Sequence, residues 1–401
     1  MIRVFVAVAA VLLAVPLFFL TLLVSAQTTG NAFLSYAAAT LVAVLVAAGL
    51  ARFGRGRRPL VAGLSLVLPA ALSWAWFGAP VAYTPVPDSP AVSFWDLPTG
   101  SRIAYERIAG PVTHPEPVLL VHGGPGTPST GRDVFAERLA AAGFAVYNYQ
   151  QAGAGQSSRL DPDEYTVARH VADLDAIRQR LGVPKMVLIG SSWGGELISA
   201  YLAAHPANAA KVIVASPGAM DGNSFPEGSL TPGGQSDQSD QISAHRRFAA
   251  TFFLGQVGGL RAARTLMPER TADGLYQQFV RSLKMGAGCG AEGSIDQAAG
   301  YGLWVNIATN ASAKRSPDPR PALRHNDTPL LVLRAQCDYL RWEVTREYRD
   351  TFPHATMLTV AGAGHTVLSD RPAETSAAAI AFLTGKPLPA KPYTAAEAPW
   401  S

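Results

Sequence analysis

The chain has 401 residues, of which 48% are hydrophobic and only 15% charged, which is too apolar for one ordinary soluble domain. The formal net charge is only +4, and no basic stripe interleaved with aromatic residues is present, which argues against nucleic acid as a partner. The two cysteines, Cys289 and Cys337, form neither a CxxC nor a His/Cys metal spacing, so one bridge and two buried thiols are both compatible with the sequence.

Three uncharged apolar segments open the chain, at about 4–24, 32–50 and 60–79. Each is close to the roughly 20 residues that a helix needs to cross a bilayer, so residues 1–79 are predicted to be a membrane anchor with three transmembrane helices. The alternative is buried helices of a soluble core, but such helices rarely occur three in a row without a polar face. Trp74 and Trp76 suit the interfacial belt near a helix end.

The arginines of this region set its expected orientation. Arg3 precedes the first segment and four more crowd "ARFGRGRRP" between the second and third, so the positive-inside rule places both in the cytoplasm and all that follows the third segment outside. The stretch "VSA" at 24–26 looks like a signal-peptidase site. We expect an uncleaved anchor there, because the apolar run is long for a signal peptide.

The rest of the chain reads as an α/β domain. A Pro-rich linker at 80–92 and a hairpin around Pro98–Gly100 precede short apolar runs that alternate with helical stretches. This alternation predicts a mainly parallel sheet with helices on both faces. We expect a core of 93–218 and 328–385, a helical cap at 219–327 over the carboxyl edge of the sheet, and a C-terminal tail at 386–401.

The stretch "GSSWGG" stands where a predicted strand meets a predicted helix. It fits G-x-S-x-G, the nucleophile elbow, with Ser192 as the nucleophile. Gly190 and Gly194 fill the small positions, which are needed because strand and helix approach closely. Centring the motif on Ser191 would put Ile189 and Trp193 at those positions, so only Ser192 fits.

A serine hydroxyl needs a base that is oriented by an acid. His365 follows the last predicted strand in "VAGAGH" and Asp338 ends the strand "PLLVLRAQCD", which gives the chain order Ser…Asp…His of this kind of site. Glu343 and Asp221 are weaker candidates for the acid.

Acyl transfer also needs amide donors for the carbonyl oxygen. The stretch "HGGPG" follows the first core strand and consists of His122, Gly123, Gly124, Pro125 and Gly126. We expect the amide of Gly124, or that of Gly123, to act with the amide of Trp193 as the oxyanion hole. No metal site and no cofactor motif is predicted.

The motifs "HGGPG", "GSSWGGELISAYLAAHP", "LRAQCD" and "GAGH" together resemble the proline iminopeptidase family of α/β-hydrolases, over roughly Ser93 to Gly385. The resemblance implies an α/β-hydrolase fold and release of N-terminal residues from peptides through an acyl-enzyme, with Ser192, Asp338 and His365 as the triad. A carboxylesterase or lipase acting on small or lipid esters is the alternative enzyme. A catalytically silent binding module tethered to the membrane is the alternative outside enzymes.

The sequence departs from this family at two places that concern the substrate. The family's Asp-Gln-Arg-Gly stretch reads "QQAGAGQS" here, with Gln150 and Ala152 in place of the acid and the arginine. An aminopeptidase also holds the substrate ammonium with carboxylates of the cap. The candidates in this cap match no family motif, and they are Glu227, Asp237, Asp240, Glu269, Asp273, Glu292 and Asp296.

Overall fold

The computed structural model describes residues 2–51, 58–225, 245–255, 259–283 and 299–400. They belong to two compact units. The first unit comprises Met1–Tyr83 and His245–Leu275, and the second unit comprises Thr84–Ala244 and Tyr276–Ser401.

The strands, in chain order, are β1 Val92–Asp96, β2 Arg102–Arg107, β3 Val118–Val121, β4 Val146–Tyr149, β5 Met186–Ser191, β6 Ala209–Ala215, β7 Leu330–Cys337 and β8 Ala355–Gly364. The helices are α1 Ile2–Thr29, α2 Ala32–Ala51, α3 Arg58–Ser73, α4 Val134–Ala141, α5 Val167–Leu181, α6 Trp193–Ala204, α7 Arg246–Leu254, α8 Leu260–Leu266, α9 Glu269–Ser282, α10 Leu303–Ala313, α11 Arg320–Leu323, α12 Trp342–Thr351, α13 Val367–Asp370 and α14 Pro372–Thr384.

The second unit is built on one eight-stranded sheet with the order β1-β2-β4-β3-β5-β6-β7-β8. The hairpin strand β2 pairs antiparallel with β1 and with β4, and the remaining neighbours are parallel. The predicted mainly parallel sheet is confirmed. Its parallel strands carry continuous apolar runs because both faces are covered.

Alternate residues of each parallel strand face opposite layers. Leu120, Ile189 and Ile213 lie in one cluster with Phe135 and Leu139 of α4, and this cluster also contains buried alanines of α14. The intervening residues, such as Leu119 and Leu188, are equally buried. This two-faced packing fixes the strand ends, and the loops that follow them carry the site.

Besides the short helices α11 and α13, two longer helices of the second unit were not predicted from the sequence. Helix α10, "LWVNIATNASA", is buried on nearly all sides, so its sequence has no polar–apolar period to detect. Helix α12, "WEVTREYRDT", is polar and buries only one face.

In the first unit, the described residues contain two helical windows that are long and apolar enough to cross a membrane, Leu12–Thr29 and Ala32–Gly49. The third predicted segment is a shorter apolar helix, Gly63–Gly78, which consists of the end of α3 and a π-helical turn, Trp74–Gly78. Two of the three predicted membrane spans are therefore long enough among the described residues. Helix α1 runs without interruption through the suspected cleavage site at 24–26.

Helices α7 and α8 belong to the same unit and contact one end of these helices. Arg247 donates to the carbonyl oxygens of Trp76 (3.0 Å) and Ala79 (2.9 Å), beyond the end of α3. The amide of Ala262 in α8 donates to the Gln27 side chain in the last turn of α1 (2.9 Å). These contacts fix α7 and α8 at the C-terminal ends of α1 and α3.

The part of the predicted linker that belongs to the second unit is held there by Gln277. The amide of Thr84 donates to the Gln277 side chain (2.8 Å), and the Gln277 amide donates back to the Thr84 carbonyl (2.7 Å). Much of the predicted cap, including the candidate acids Glu227, Asp237, Asp240, Glu292 and Asp296, lies outside the described residues.

Candidate active site

The site begins with the backbone of Ser192, between β5 and α6. Ser192 has φ 53° and ψ −122°, a positive φ that strains a residue with a side chain. Three backbone hydrogen bonds hold it: its amide donates to Ala215 (3.1 Å), and its carbonyl accepts from Gly195 and Gly218 (both 2.9 Å). This is the strained turn that the elbow motif predicts.

The two glycines of the motif allow strand and helix to approach. A Cβ on Gly194 would lie 2.0 Å from the carbonyl oxygen of Val121, and a Cβ on Gly190 would lie 2.6 Å from the backbone of Gly194. Gly123 of the "HGGPG" loop also lies close to the predicted nucleophile, since its Cβ would meet the Ser192 Cβ at 3.1 Å. The elbow therefore packs directly against the predicted oxyanion loop.

The predicted base and acid meet at the ends of β8 and β7. The Nδ1 of His365 lies 2.7 Å from Oδ1 of Asp338, and both side chains are buried. Asp338 Oδ1 also accepts from the Leu340 amide (3.0 Å). The bond between His365 and Asp338 orients the imidazole, so that Nε2 is the nitrogen that can accept a proton.

Arg334, on β7, is a site residue that the sequence did not suggest. Its guanidinium donates to Asp338 Oδ2 (3.3 Å), to Thr345 (3.0 Å) and to the Leu340 carbonyl (2.9 Å). Burial alone would raise the pKa of Asp338, but the His365 imidazole and the Arg334 cation hold that pKa below its ordinary value. The carboxylate therefore stays ionised beside the histidine.

Tyr339 connects the histidine with the serine. Its ring lies 4.3 Å, centroid to centroid, from the His365 imidazole, and its hydroxyl is close enough to the Ser192 side chain for that side chain to lower the tyrosine pKa, although burial raises the pKa overall. The Nε2 atom of His365 is buried and has no hydrogen-bond partner among the described residues. No hydrogen bond therefore joins Ser192 to this nitrogen in the described structure.

The oxyanion loop is tied to the elbow through a buried chain of hydrogen bonds. The Gln151 amide donates to Nε2 of His122 (2.9 Å), and Nδ1 of His122 contacts the Gly123 carbonyl (2.9 Å). The Gln151 side chain donates to the His122 carbonyl and accepts from the Trp193 indole (3.0 Å). Because Nε2 accepts a hydrogen bond, His122 is neutral, and burial lowers its pKa to about 4.

The other side of the loop rests on the second unit's α9 and α10. The Pro125 carbonyl accepts from the Asn306 amide (3.0 Å) and contacts the Tyr276 hydroxyl (3.4 Å). The Asn306 amide also contacts that hydroxyl (2.7 Å). Gly126, with φ 81°, accepts from the Gly302 amide (2.9 Å). The amide predicted for the oxyanion, that of Gly124, thus belongs to a loop held at both ends.

The departures in "QQAGAGQS" have structural roles of their own. The Gln150 side chain accepts from the Gln156 amide (2.6 Å), and Ala152 is buried. The rival acids lie elsewhere: Asp221 pairs with Arg320 (3.4 Å) and Glu343 with Arg341 (3.5 Å). Among the described cap acids, Glu269 pairs with Arg264 (3.8 Å), and Asp273 is buried.

Comparisons with known proteins show the family to which this fold belongs. A family model described as alpha/beta hydrolase fold matches residues 116–372. The chain is 36% identical over 123 residues to a proline iminopeptidase of Lactobacillus delbrueckii subsp. lactis, which is 30% of this chain and 42% of that protein. It is 37% identical over 115 residues to the proline iminopeptidase of Lactobacillus helveticus (strain DPC 4571), 28% of this chain and 39% of that one. The matched part is therefore about two fifths of these relatives' length.

Solved structures share the fold at low identity. An alpha/beta fold family hydrolase from Bacillus anthracis str. Sterne has a TM-score of 0.54 at 17% identity, covering 73% of this chain and 98% of that one. An esterase from Rhodococcus sp. ECU1013 has a TM-score of 0.51 at 20% identity with the same coverages.

The close approach at the elbow predicts the effect of one added methyl group. Gly194→Ala would force a Cβ against the Val121 carbonyl, and overpacking of this kind lowers the free energy of unfolding by ~1–3 kcal/mol. Gly218→Ala is the matched control, because its Cβ would meet the Ser192 backbone at 3.5 Å, an ordinary contact. Thermal unfolding of both purified variants in detergent measures the difference, and equal midpoints would contradict the packing described.

Removing the ion pair between Arg334 and Asp338 is expected to lower turnover. Arg334→Gln removes a charged hydrogen bond from Asp338, which is worth ~1.5–3 kcal/mol, so kcat should fall about 10- to 100-fold with little change in KM. Arg334→Lys should lose less, because it keeps the charge. Arg320→Gln, in an ion-pair cluster away from the triad, should leave kcat near wild type. Steady-state kinetics compares the three, and an unchanged kcat in Arg334→Gln would exclude a positioning role.

Proposed function

Because the chain belongs to the α/β-hydrolase family, we propose that it is a serine hydrolase with Ser192, His365 and Asp338 as its catalytic triad. The observation that carries the proposal is the buried His365–Asp338 bond (2.7 Å) at the strand ends, with Tyr339 connecting its imidazole to a serine held at positive φ.

The proposed reaction follows the chemistry of such sites. Ser192 attacks the acyl carbon while Nε2 of His365 accepts the hydroxyl proton, and Asp338 stabilises the imidazolium. The amides of Trp193 and Gly124 would donate to the oxyanion. His365 then protonates the leaving group, and water, activated by the same nitrogen, releases the acyl group and regenerates Ser192.

For the substrate, we propose a peptide from which the N-terminal residue is released. The chain is proline iminopeptidase-like, and its relatives of 36% and 37% identity are named proline iminopeptidases. Their match covers about two fifths of their length, so it supports the chemistry of the core more than the choice of residue. An ester of a small or lipid alcohol is the alternative substrate, since the same acyl transfer serves both.

For the location, we propose that α1, α2 and the shorter α3 anchor the enzyme in a membrane and that the hydrolase unit faces outward. Large apolar side chains such as Leu12, Leu20 and Leu45 are exposed along α1 and α2, which favours a lipid environment. The arginines at 52–58 favour a cytoplasmic loop. Cys337 is disulfide-bonded, and disulfides persist mainly in oxidising compartments outside the cytosol.

The triad is tested with a serine-reactive fluorophosphonate probe on the full chain in detergent. The probe should label wild type and Ser191→Ala, whereas Ser192→Ala should lose labelling and its turnover should fall by several orders of magnitude. Ser191→Ala is the matched control, because it removes the neighbouring hydroxyl. Folded wild type that takes no label would favour the silent binding module instead.

The substrate class is tested with prolyl and alanyl arylamides set against p-nitrophenyl esters. A higher kcat/KM for the arylamides than for esters of matched size would support an aminopeptidase. Turnover of esters alone, lost in Ser192→Ala, would replace the aminopeptidase by the esterase and leave the triad intact.

A further inference from the structure

Helices α7 and α8 lie at one level of the first unit, the level at which α1 and α3 end. Arg247 reaches from α7 to the carbonyl oxygens of Trp76 and Ala79, and the Gln27 side chain of α1 bonds directly to the α8 backbone. Both contacts are direct hydrogen bonds, so α7 and α8 lie at the same depth as these helix ends.

Exposed aromatic side chains gather at this level. Phe33, at the start of α2, is 80% exposed, and Trp74 and Trp76, at the end of α3, are 63% and 38% exposed. Phe253 of α7 is 67% exposed, although it comes from a segment more than 160 residues later in the chain. Trp side chains at a common depth are typical of a membrane–water interface, and Phe side chains on interfacial helices enter the same layer.

The charge of the same segment fits an anionic lipid surface. No aspartate or glutamate occurs between His245 and Pro268, whereas four arginines do. Arg246 and Arg261 are exposed, and so is Arg270 at the start of α9. Arginines beside exposed aromatic residues on short helices attract phosphate headgroups while the rings enter the interface.

We propose that α7 and α8 form a second membrane contact. Phe253 enters the lipid–water interface, and Arg246, Arg261 and Arg270 bind the headgroup phosphates of anionic phospholipids in the leaflet that surrounds the ends of α1 and α3. This inference rests on the proposed membrane anchoring. It goes beyond anchoring because it assigns a lipid-binding surface to a segment that follows the catalytic serine in the chain.

The test places one environment-sensitive fluorophore (NBD) at a time on the full chain, reconstituted in phosphatidylglycerol-containing vesicles. The three labelling sites are Phe253→Cys, Phe33→Cys as the anchoring control, and Val112→Cys, an exposed loop position of the second unit. Unlabelled wild type gives the background. Nitroxide-bearing lipids then report contact with the interface.

Quenching of the labels at 253 and 33, with none at 112, is the expected result. Quenching at 33 without quenching at 253 would overturn the second contact and leave the anchor in place. Absence of quenching at both would instead overturn the anchoring. Shielding of the label at 253 from an aqueous quencher, without quenching by lipid, would indicate contact between two copies of the chain and would also overturn the inference.

Changing the charge of the lipid distinguishes binding of the headgroups from insertion of Phe253 alone. In phosphatidylcholine vesicles, quenching at 253 should weaken while quenching at 33 stays constant. Arg246→Gln should shift the inserted-to-free ratio of α7 about fivefold in phosphatidylglycerol, the effect of one arginine near an anionic surface, and have little effect in phosphatidylcholine. Equal quenching at 253 in both lipids, unaffected by Arg246→Gln, would exclude the phosphate contacts.

Discussion

The close contact between Gly194 and the Val121 carbonyl is the constraint around which the site is arranged. It brings the start of α6 against the end of β3, and Ser192 joins β5 to this helix at a positive φ. The strain is offset by the three hydrogen bonds of its amide and carbonyl. As a result, the serine, the Trp193 amide and the "HGGPG" loop share one small region, before any side chain of the triad is considered.

A layer of neutral buried groups supports this region from below. His122 accepts a hydrogen bond from Gln151, and His170 contacts the Thr309 hydroxyl (3.2 Å) beside the Trp193 ring. Burial lowers their pKa values to about 4 and about 3. Their folded pKa lies below the unfolded value near 6.5, so the stability they contribute is present above that value and is lost as pH falls through the folded pKa. The groups around the predicted oxyanion loop therefore contribute most stability at neutral pH, because acid would charge buried imidazoles.

Local chemistry explains which parts of this site the sequence could predict. The elbow, the loop "HGGPG" and the placement of His365 and Asp338 after strands depend on neighbouring residues, and strand–turn–helix signals are local. Arg334 and Tyr339 were not predicted, because their roles come from contacts that only the folded chain creates. Arg334 donates to Asp338, and Tyr339 contacts the His365 ring and the Ser192 side chain. Gln151 escaped for the same reason, since its partners, His122 and Trp193, are far from it in sequence. The segment at 245–275 was predicted as cap helices, but its grouping with the first unit depends on long-range contacts that no periodicity reveals.

The two units carry net charges of opposite sign, which the net charge of the whole chain does not show. The first unit carries ten arginines, no lysine and two acidic residues, Glu269 and Asp273. Because the whole chain has 33 basic and 29 acidic residues, the second unit has an excess of acids. Arginines collected among apolar helices are costly unless they reach phosphate or water at an interface. The sign of the charge therefore follows the proposed surroundings of each unit: it is positive in the unit that would meet headgroups, and negative in the unit that carries the proposed triad.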